Sequence, residues 1–137
     1  MDREVIDQKL ESLRRCLQRV ADKCPPDPET LERDLDLQDI IALNLSRAVQ
    51  LSVDIGTHII AGMEVPPPDT MGQTFDILAQ AGVIHDDLAK RLKKSVGFRN
   101  IAVHNYEKID WAIVHAIARH HLADFTEFAR AIGSRLR

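Results

Sequence analysis

The sequence predicts an all-α protein, most simply an antiparallel bundle of about five helices. Apolar residues recur at intervals of three and four along most of the chain, which is the period of an amphipathic helix. The six prolines fall in only two clusters, at 25–28 and 66–68, so the other stretches lack the strongest helix breaker. No stretch shows the sustained apolar–polar alternation, bounded by hairpin turns, that is typical of β-strands.

The first predicted helix precedes the first proline cluster. Charged residues separate the members of its apolar stripe, so one face should be buried and the opposite face solvated. The stripe covers about five helical turns and comprises Ile6, Leu10, Leu13, Leu17 and Val20.

The second predicted helix occupies the stretch between the proline clusters, from about residue 31 to 62. Asp27 can cap the turn that leads into it, and Gly62 is suited to end it. The acidic segment 34–39 is a possible break. The apolar stripe of this helix comprises Leu37, Ile41, Ala48, Leu51, Ile55 and Ile59.

The third and fourth helices follow the second proline cluster. The third should begin at a cap formed by Thr70 or Thr74 and end near Gly82. The fourth should begin near His85, before two aspartates that suit the positive end of the helix dipole, and reach Gly97. We expect short loops to join the helices.

The fifth predicted helix begins at Asp110 and runs nearly to the C-terminus. His115, His120 and His121 lie on it at spacings of five and one. Metal ligands on one helix face need spacings of three or four, so we interpret these histidines as incidental surface residues. The sequence therefore predicts no metal site.

Length and charge narrow the function classes. The chain has 137 residues, enough for one domain spanning 1–137, and a formal net charge of −3. Such a protein does not coat nucleic acid nonspecifically. Residues 85–108 nevertheless carry six basic and three acidic side chains, so this segment can meet a phosphate backbone, although a solvated helix face is the simpler explanation.

Cysteine usage and hydropathy favour a cytoplasmic protein. Cys16 and Cys24 show neither CxxC nor zinc-ligand spacing, and we expect two reduced thiols. The first residues are charged and form no apolar signal core. No run approaches the ~18 apolar residues of a membrane-spanning helix.

One stretch concentrates side chains that bind anions or exchange protons. It covers residues 97–106, Gly-Phe-Arg-Asn-Ile-Ala-Val-His-Asn-Tyr. Arg99 offers a planar guanidinium that fits phosphate oxygens, and His104 offers an imidazole that exchanges protons near neutral pH. These two groups are what RNA cleavage without a metal requires. A base removes the proton of the ribose 2′-hydroxyl, the oxygen attacks the adjacent phosphorus, and a cation stabilises the charge that develops.

The spacing of these two residues places them on different helix faces. On an ideal helix Arg99 and His104 lie about 140° apart around the axis, whereas Asn100 and His104 share a face. Either the helix ends near His104 and the imidazole turns back, or the two groups come from different chains. A symmetric dimer would bring two copies of the segment into one cleft.

The pattern Arg-x4-His-x-Tyr, preceded by Gly97-Phe98 and with Asn100 after the arginine, resembles the signature of the HEPN superfamily. The branch it resembles most is the HepT-type toxin of HEPN–MNT toxin–antitoxin modules. The resemblance covers nearly the whole chain: its length, its small all-α layout and the position of the motif before the last helix. The arginine, asparagine, histidine and tyrosine positions all match.

The resemblance implies a homodimeric helical bundle whose two motifs line one cleft, and a metal-independent endoribonuclease that needs no cofactor. Arg99 and His104 would be the catalytic pair and Asn100 an auxiliary polar group. The implied antitoxin is a minimal nucleotidyltransferase (MNT) that transfers AMP to Tyr106. Phosphates added near Arg99 would occupy the anion site and repel RNA.

A second interpretation is a non-catalytic helical module that binds a nucleotidyltransferase or a nucleotide through the same residues. Taken singly, the four side chains also have structural uses. Arg99 suits a surface ion pair, His104 a hydrogen-bonded structural role, Asn100 a bond to backbone, and Tyr106 a packed helix junction. RNA cleavage that is lost in His104→Ala separates the two interpretations.

Overall fold

The computed structural model describes residues 2–136. In this range the chain forms seven α-helices and one turn of 3₁₀-helix and has no β-strand, which confirms the all-α class. The helices are α1 (Arg3–Lys23), α2 (Pro28–Arg33), α3 (Leu35–Ala61), α4 (Met71–Gln80), α5 (Asp86–His104), α6 (Trp111–His120) and α7 (Leu122–Arg135), and the 3₁₀ turn is Tyr106–Lys108. No helix of the described chain is both long and apolar enough to cross a membrane.

The first helix forms as its stripe predicts. Asp2 caps α1 by accepting a hydrogen bond of 3.0 Å from the backbone N–H of Glu4. Ile6, Leu13 and Val20 are completely buried, and the face that carries them packs mainly against α3. The stripe thus determines which side of the helix joins the core.

The predicted second helix is interrupted at the acidic segment, at Asp34. This residue ends α2 and caps α3, because its side chain accepts a hydrogen bond of 3.1 Å from the N–H of Leu37. The buried Gln38 then ties the two helices together by donating to the carbonyls of Leu31 and Glu32. The break therefore has its backbone groups satisfied, and Gly62 caps the far end of α3 as expected.

The long helix α3 is the centre of the bundle and contacts each of the other six α-helices of the described chain. Its approach to α4 depends on Gly56. A Cβ atom there would lie 2.6 Å from Cγ2 of Thr74 and 3.0 Å from Leu78. Glycine thus lets the two helices pack closer than any side chain allows. Thr70 is the cap of α4.

Two helix boundaries differ from the prediction. The fourth helix does not stop at Gly97 but continues as α5 to His104. Glycine inside a helix costs about 1 kcal/mol, and burial of the next side chain, Phe98, offsets this cost. The single fifth helix predicted from Asp110 is two helices, because the backbone leaves helical geometry at His121 between α6 and α7.

The core consists of two clusters of buried apolar side chains. The larger cluster joins α1, the second half of α3, α4, the first half of α5 and α7, and it includes the edge-to-face pair Phe75 and Phe128. The smaller cluster joins the first half of α3 to the end of α5 and to α6. It comprises Val20, Leu31, Ile41, Ala42, Leu45, Phe98, Ile109, Val114 and Ala118.

Candidate functional site

The last two turns of α5 carry the predicted catalytic residues beside the smaller cluster. Phe98 is buried in that cluster and Ala102, four residues later, packs against it. Asn100 and His104 are also four residues apart, lie on the opposite side of the helix and are exposed. Anchoring of one face therefore presents the other face to solvent.

The guanidinium of Arg99 is free to bind an anion. Its Nη1 donates a hydrogen bond of 3.2 Å to Oδ1 of Asn100, and no carboxylate of residues 2–136 pairs with it. This differs from Arg91 on the same helix, which pairs with Asp124 and Glu127. Arg99 thus keeps most of its donors, and Asn100 holds one side of the fork, which supports an auxiliary role for the amide.

His104 is the last residue of α5 and its side chain is exposed. It makes no side-chain hydrogen bond or ion pair within the described chain. The helix stays regular up to His104, and the backbone departs from it only at Asn105, where φ is −154° and ψ is 56°. In one chain the imidazole and the Arg99 guanidinium therefore start from faces about 140° apart.

Tyr106 lies in the 3₁₀ turn directly after the helix and contacts two other elements. Its hydroxyl donates a hydrogen bond of 2.6 Å to Oδ1 of Asp39 on α3. Its ring packs edge-to-face against Trp111 with the centroids 5.8 Å apart. Partial burial, together with the hydrogen bond to the Asp39 carboxylate, raises the pKa of Tyr106 above its ordinary value, which opposes ionisation of the phenol.

Asp39 is a site residue that the sequence reasoning missed. It lies 67 positions before Tyr106, in the acidic segment interpreted only as a possible helix break. The position is exposed on the outer side of α3, where a charged residue needs no explanation. Nothing in the sequence reveals its pairing with the tyrosine, because that contact depends on how α3 lies beside the end of α5.

Exposed apolar side chains surround the motif. Ile101, Val103 and Ile113 expose 43%, 53% and 57% of their surface. Ile101 and Ile113 line a groove of about 700 Å³ between α5 and α6, with Lys94 and Lys108 also lining it. Asp110 and Asp124 line the same groove, so its charge is mixed and its apolar side chains are the feature that suits a partner.

The remaining histidines and the cysteines lie outside the motif, although His121 lines the groove beside it. His115 is buried and its Nε2 lies 2.8 Å from the carbonyl oxygen of Pro25, so its interpretation as a surface residue is wrong. His120 and His121 are exposed as expected. Cys16 and Cys24 are both free, and burial raises the pKa of each thiol, which opposes thiolate formation.

Comparison with known proteins extends the resemblance of the motif to the whole chain. The model of a family described as ribonuclease HepT-like matches residues 6–132. An mRNA nuclease HepT of Shewanella oneidensis is 36% identical over 129 residues, which covers 94% of this chain and 96% of that protein. A tRNA nuclease HepT of Aphanizomenon flos-aquae is 29% identical over 100 residues, which covers 72% of this chain and 68% of that protein.

A solved structure has the same fold. It is a tri-AMPylated Shewanella oneidensis HEPN toxin in complex with an MNT antitoxin, with a TM-score of 0.89 at 35% identity. The match covers 98% of this chain and 99% of that toxin. The sequence match and the shared fold both extend far beyond the ten-residue motif stretch, and this chain belongs to the HepT-like ribonuclease family.

Proposed function

We propose that this chain is the endoribonuclease toxin of a toxin–antitoxin pair and cleaves RNA without a metal ion through Arg99 and His104. The observation that carries the proposal is a half-exposed guanidinium without a carboxylate partner and an exposed imidazole without a polar partner among residues 2–136, both near the end of one helix. In a HepT-like chain these are the two groups that RNA cleavage requires. We take 1–137 as one domain that works in the cytoplasm.

The reaction uses the nucleophile built into the substrate. His104 accepts the proton of a ribose 2′-hydroxyl, and the oxygen attacks the adjacent phosphorus. Arg99 donates hydrogen bonds to the phosphate oxygens and stabilises the charge that develops there, while Asn100 holds the guanidinium. The bond to the 5′-oxygen of the next nucleotide then breaks, which leaves a 2′,3′-cyclic phosphate on one product.

The complete cleft is formed by two copies of the chain. Arg99 and His104 lie on different faces of one regular helix, so a second subunit supplies the simplest way to bring them to one phosphate. The exposed Ile101, Val103 and Ile113 beside the motif suit the apolar part of such an interface. In a two-fold dimer each subunit gives the same surface to the other.

The antitoxin partner is a minimal nucleotidyltransferase that transfers AMP to Tyr106. This tyrosine lies two residues after His104 and is 37% exposed. The related toxin solved with an MNT antitoxin is tri-AMPylated, which supports the same pairing for this chain. Mass spectrometry after co-expression with the neighbouring nucleotidyltransferase should find one or more AMP units on Tyr106.

The decisive test is cleavage of purified RNA by the purified protein in the presence of EDTA. We expect products with 2′,3′-cyclic phosphate ends, and a loss of roughly 10²- to 10⁴-fold in Arg99→Ala and in His104→Ala. His120→Ala is the matched control, since His120 is an exposed histidine at the end of α6. Both mRNA and tRNA should be tested, because the two relatives are named for different substrates.

The same experiment identifies the alternative. If the folded dimer leaves every RNA class intact, the chain is a non-catalytic module that binds the nucleotidyltransferase or a nucleotide. If cleavage requires a divalent ion and EDTA abolishes it, the endoribonuclease assignment stands and the metal-independent mechanism is wrong. If His120→Ala is as inactive as His104→Ala, His104 has no special role.

A further inference from the structure

We propose that Asp39 is the proton acceptor for AMP transfer to Tyr106, so that the toxin supplies the base for its own inactivation. This inference rests on the proposed function, because it concerns how the same tyrosine becomes a nucleophile. The observation that carries it is the hydrogen bond of 2.6 Å from the Tyr106 hydroxyl to Oδ1 of Asp39, which joins α3 to the turn after α5.

The geometry places a carboxylate on the atom that must react. A phenol attacks phosphorus through its oxygen, and the proton on that oxygen has to leave as the new bond forms. The proton already points at Asp39, and the ring is held by Trp111, so the acceptor is in place before any nucleotide arrives. Asp39 and Tyr106 are both exposed, which leaves the pair accessible to a partner enzyme.

The protonation state of the tyrosine makes such an acceptor necessary. A tyrosine hydroxyl is neutral at pH 7, because its ordinary pKa is about 10. Burial, and then the hydrogen bond to Asp39, raise the pKa of Tyr106 further. The phenol is therefore neutral at rest and keeps its proton in the hydrogen bond to the carboxylate. The carboxylate takes the proton only when bond formation to phosphorus makes the phenolic oxygen acidic.

The step balances with a nucleoside triphosphate delivered by the nucleotidyltransferase. The Tyr106 oxygen attacks the α-phosphorus, and the new oxygen–phosphorus bond forms as the bond between that phosphorus and the β-phosphate oxygen breaks. Pyrophosphate leaves with the electron pair. The phenolic proton passes to the Asp39 carboxylate, and from there to water.

The product then loses the contact that prepared it. The modified oxygen has no proton to donate, and a negatively charged phosphodiester lies beside the Asp39 carboxylate. Like charges at this distance repel each other, so the modified ring is released from α3. Asp39 thus promotes the transfer and then repels the phosphate of the AMP that has been added to the tyrosine.

The test follows the first AMP addition over time by intact-mass spectrometry. It uses the purified full-length toxin, the purified nucleotidyltransferase encoded beside it, and ATP. In Asp39→Asn the amide oxygen still accepts the tyrosine's hydrogen bond but cannot take its proton, and we expect the first addition to slow by roughly 10²- to 10⁴-fold. Asp39→Glu restores a carboxylate and should recover part of the rate.

Two controls separate the possible causes. Asp36→Asn removes an exposed carboxylate one turn earlier on α3 and should be modified at the wild-type rate. Tyr106→Phe should accept no AMP. Because Asp39 is exposed and the amide still accepts the hydrogen bond, Asp39→Asn should be fully folded at the assay temperature, and its binding to the nucleotidyltransferase should be unchanged.

The outcomes distinguish this inference from the proposed function. If the wild-type toxin is modified and Asp39→Asn is modified equally fast, Asp39 is not the proton acceptor, although AMP transfer to the tyrosine stands. If Asp39→Glu is as slow as Asp39→Asn, the carboxylate is not what matters and the inference also fails. If the wild-type Tyr106 receives no AMP, both the inference and that part of the proposed function are wrong.

Discussion

The two apolar clusters of this protein use the same long helices in opposite ways. The larger cluster joins parts of α1, α3, α4, α5 and α7, and side chains cover it on all sides, so that Phe75 and Phe128 are completely buried. We call this part of the molecule the closed end. The smaller cluster lies at the other end of α3 and α5, and apolar side chains beside it remain exposed to solvent. We call this part of the molecule the open end. Of the seven exposed large apolar side chains of the described chain, four lie beside the smaller cluster, on the end of α5, the 3₁₀ turn and α6: Ile101, Val103, Tyr106 and Ile113.

The difference separates folding from function. At the larger cluster the hydrophobic pattern, caps and packing all agree, which is the consistency that specifies a fold. At the smaller cluster the same helix α5 leaves Arg99 and His104 without ion-pair partners and leaves neighbouring apolar side chains exposed. Neither feature stabilises the isolated chain. Such local inconsistency is expected where a second subunit, a partner or a substrate completes the structure.

The largest expected effect concerns completion of the open end by a second subunit. Arg99→Ala and His104→Ala homodimers should each lose roughly 10²- to 10⁴-fold of the cleavage activity. When the two variants are mixed and allowed to exchange subunits, about half of the dimers become mixed, and each mixed dimer contains one intact Arg–His pair if the pair spans the two chains. RNA cleavage should then return to about a quarter of the wild-type rate.

The control for this experiment is the double variant that carries both substitutions in one chain. Mixed with wild type it creates no new pair, so its activity should only reflect the wild-type sites that remain. If the two single variants never recover activity despite verified exchange, the catalytic pair belongs to one chain. A chain that is monomeric by light scattering at the assay concentration would contradict the composite cleft outright.

The closed end should respond in stability and not in catalysis. Phe128→Ala removes a fully buried ring from the edge-to-face pair with Phe75, whose centroids are 5.9 Å apart. We expect the free energy of unfolding to fall by about 3–5 kcal/mol. RNA cleavage per folded molecule should be unchanged below the unfolding transition, as measured by urea denaturation and activity in parallel. A loss of activity in fully folded Phe128→Ala would mean that the two clusters are coupled.

The open end should respond in the opposite way. Ile113→Asp places a charge at a position that is 57% exposed in the single chain. The unfolding free energy of the monomer should therefore change by only about 0.5 kcal/mol. Within a dimer interface the same charge is buried without a partner, and we expect the dissociation constant to rise about tenfold to a hundredfold. Analytical ultracentrifugation measures this shift. An unchanged dimer would place the interface on another surface.

Much of the fold was predictable from the sequence because its signals are local. The stripe of α1, the caps at Thr70 and Asp110 and the end of α3 at Gly62 follow from spacing and capping chemistry. The continuation of α5 through Gly97 was not predictable in this way. Burial of Phe98 decides it, and that depends on where α3 and α6 lie.

The site shows the same limit more sharply. Arg99, Asn100, His104 and Tyr106 lie within eight residues, so one stretch of sequence contains them. The structure adds that Arg99 has no carboxylate partner among residues 2–136. Asp39 joins the site only through tertiary packing, because it lies 67 positions before Tyr106 in the sequence. A residue whose role depends on a long-range contact has no pattern of its own in the sequence.

The smallest expected effect tests whether the contact between Tyr106 and Asp39 contributes to stability in solution. Burial and the bond to Asp39 raise the pKa of Tyr106, so the folded chain holds the phenolic proton more tightly than the unfolded chain does. The contribution is therefore fully present below the ordinary tyrosine pKa of about 10 and is lost as the pH rises above it, where the unfolded chain binds fewer protons. Thermal melts should show that wild type loses stability relative to Tyr106→Phe between about pH 9 and 11, the range around the ordinary tyrosine pKa.

The comparison with Tyr106→Phe isolates this one group. Lysines and the other titrating groups are common to both proteins, so their effects cancel in the difference, and Tyr106 is the only tyrosine in the chain. Asp39→Asn, which keeps a neutral acceptor, should show a smaller difference, because the raised pKa owes part of its shift to the carboxylate. A pH-independent difference between wild type and Tyr106→Phe would mean that the hydroxyl faces water in solution, and the open end would then lack its link to α3.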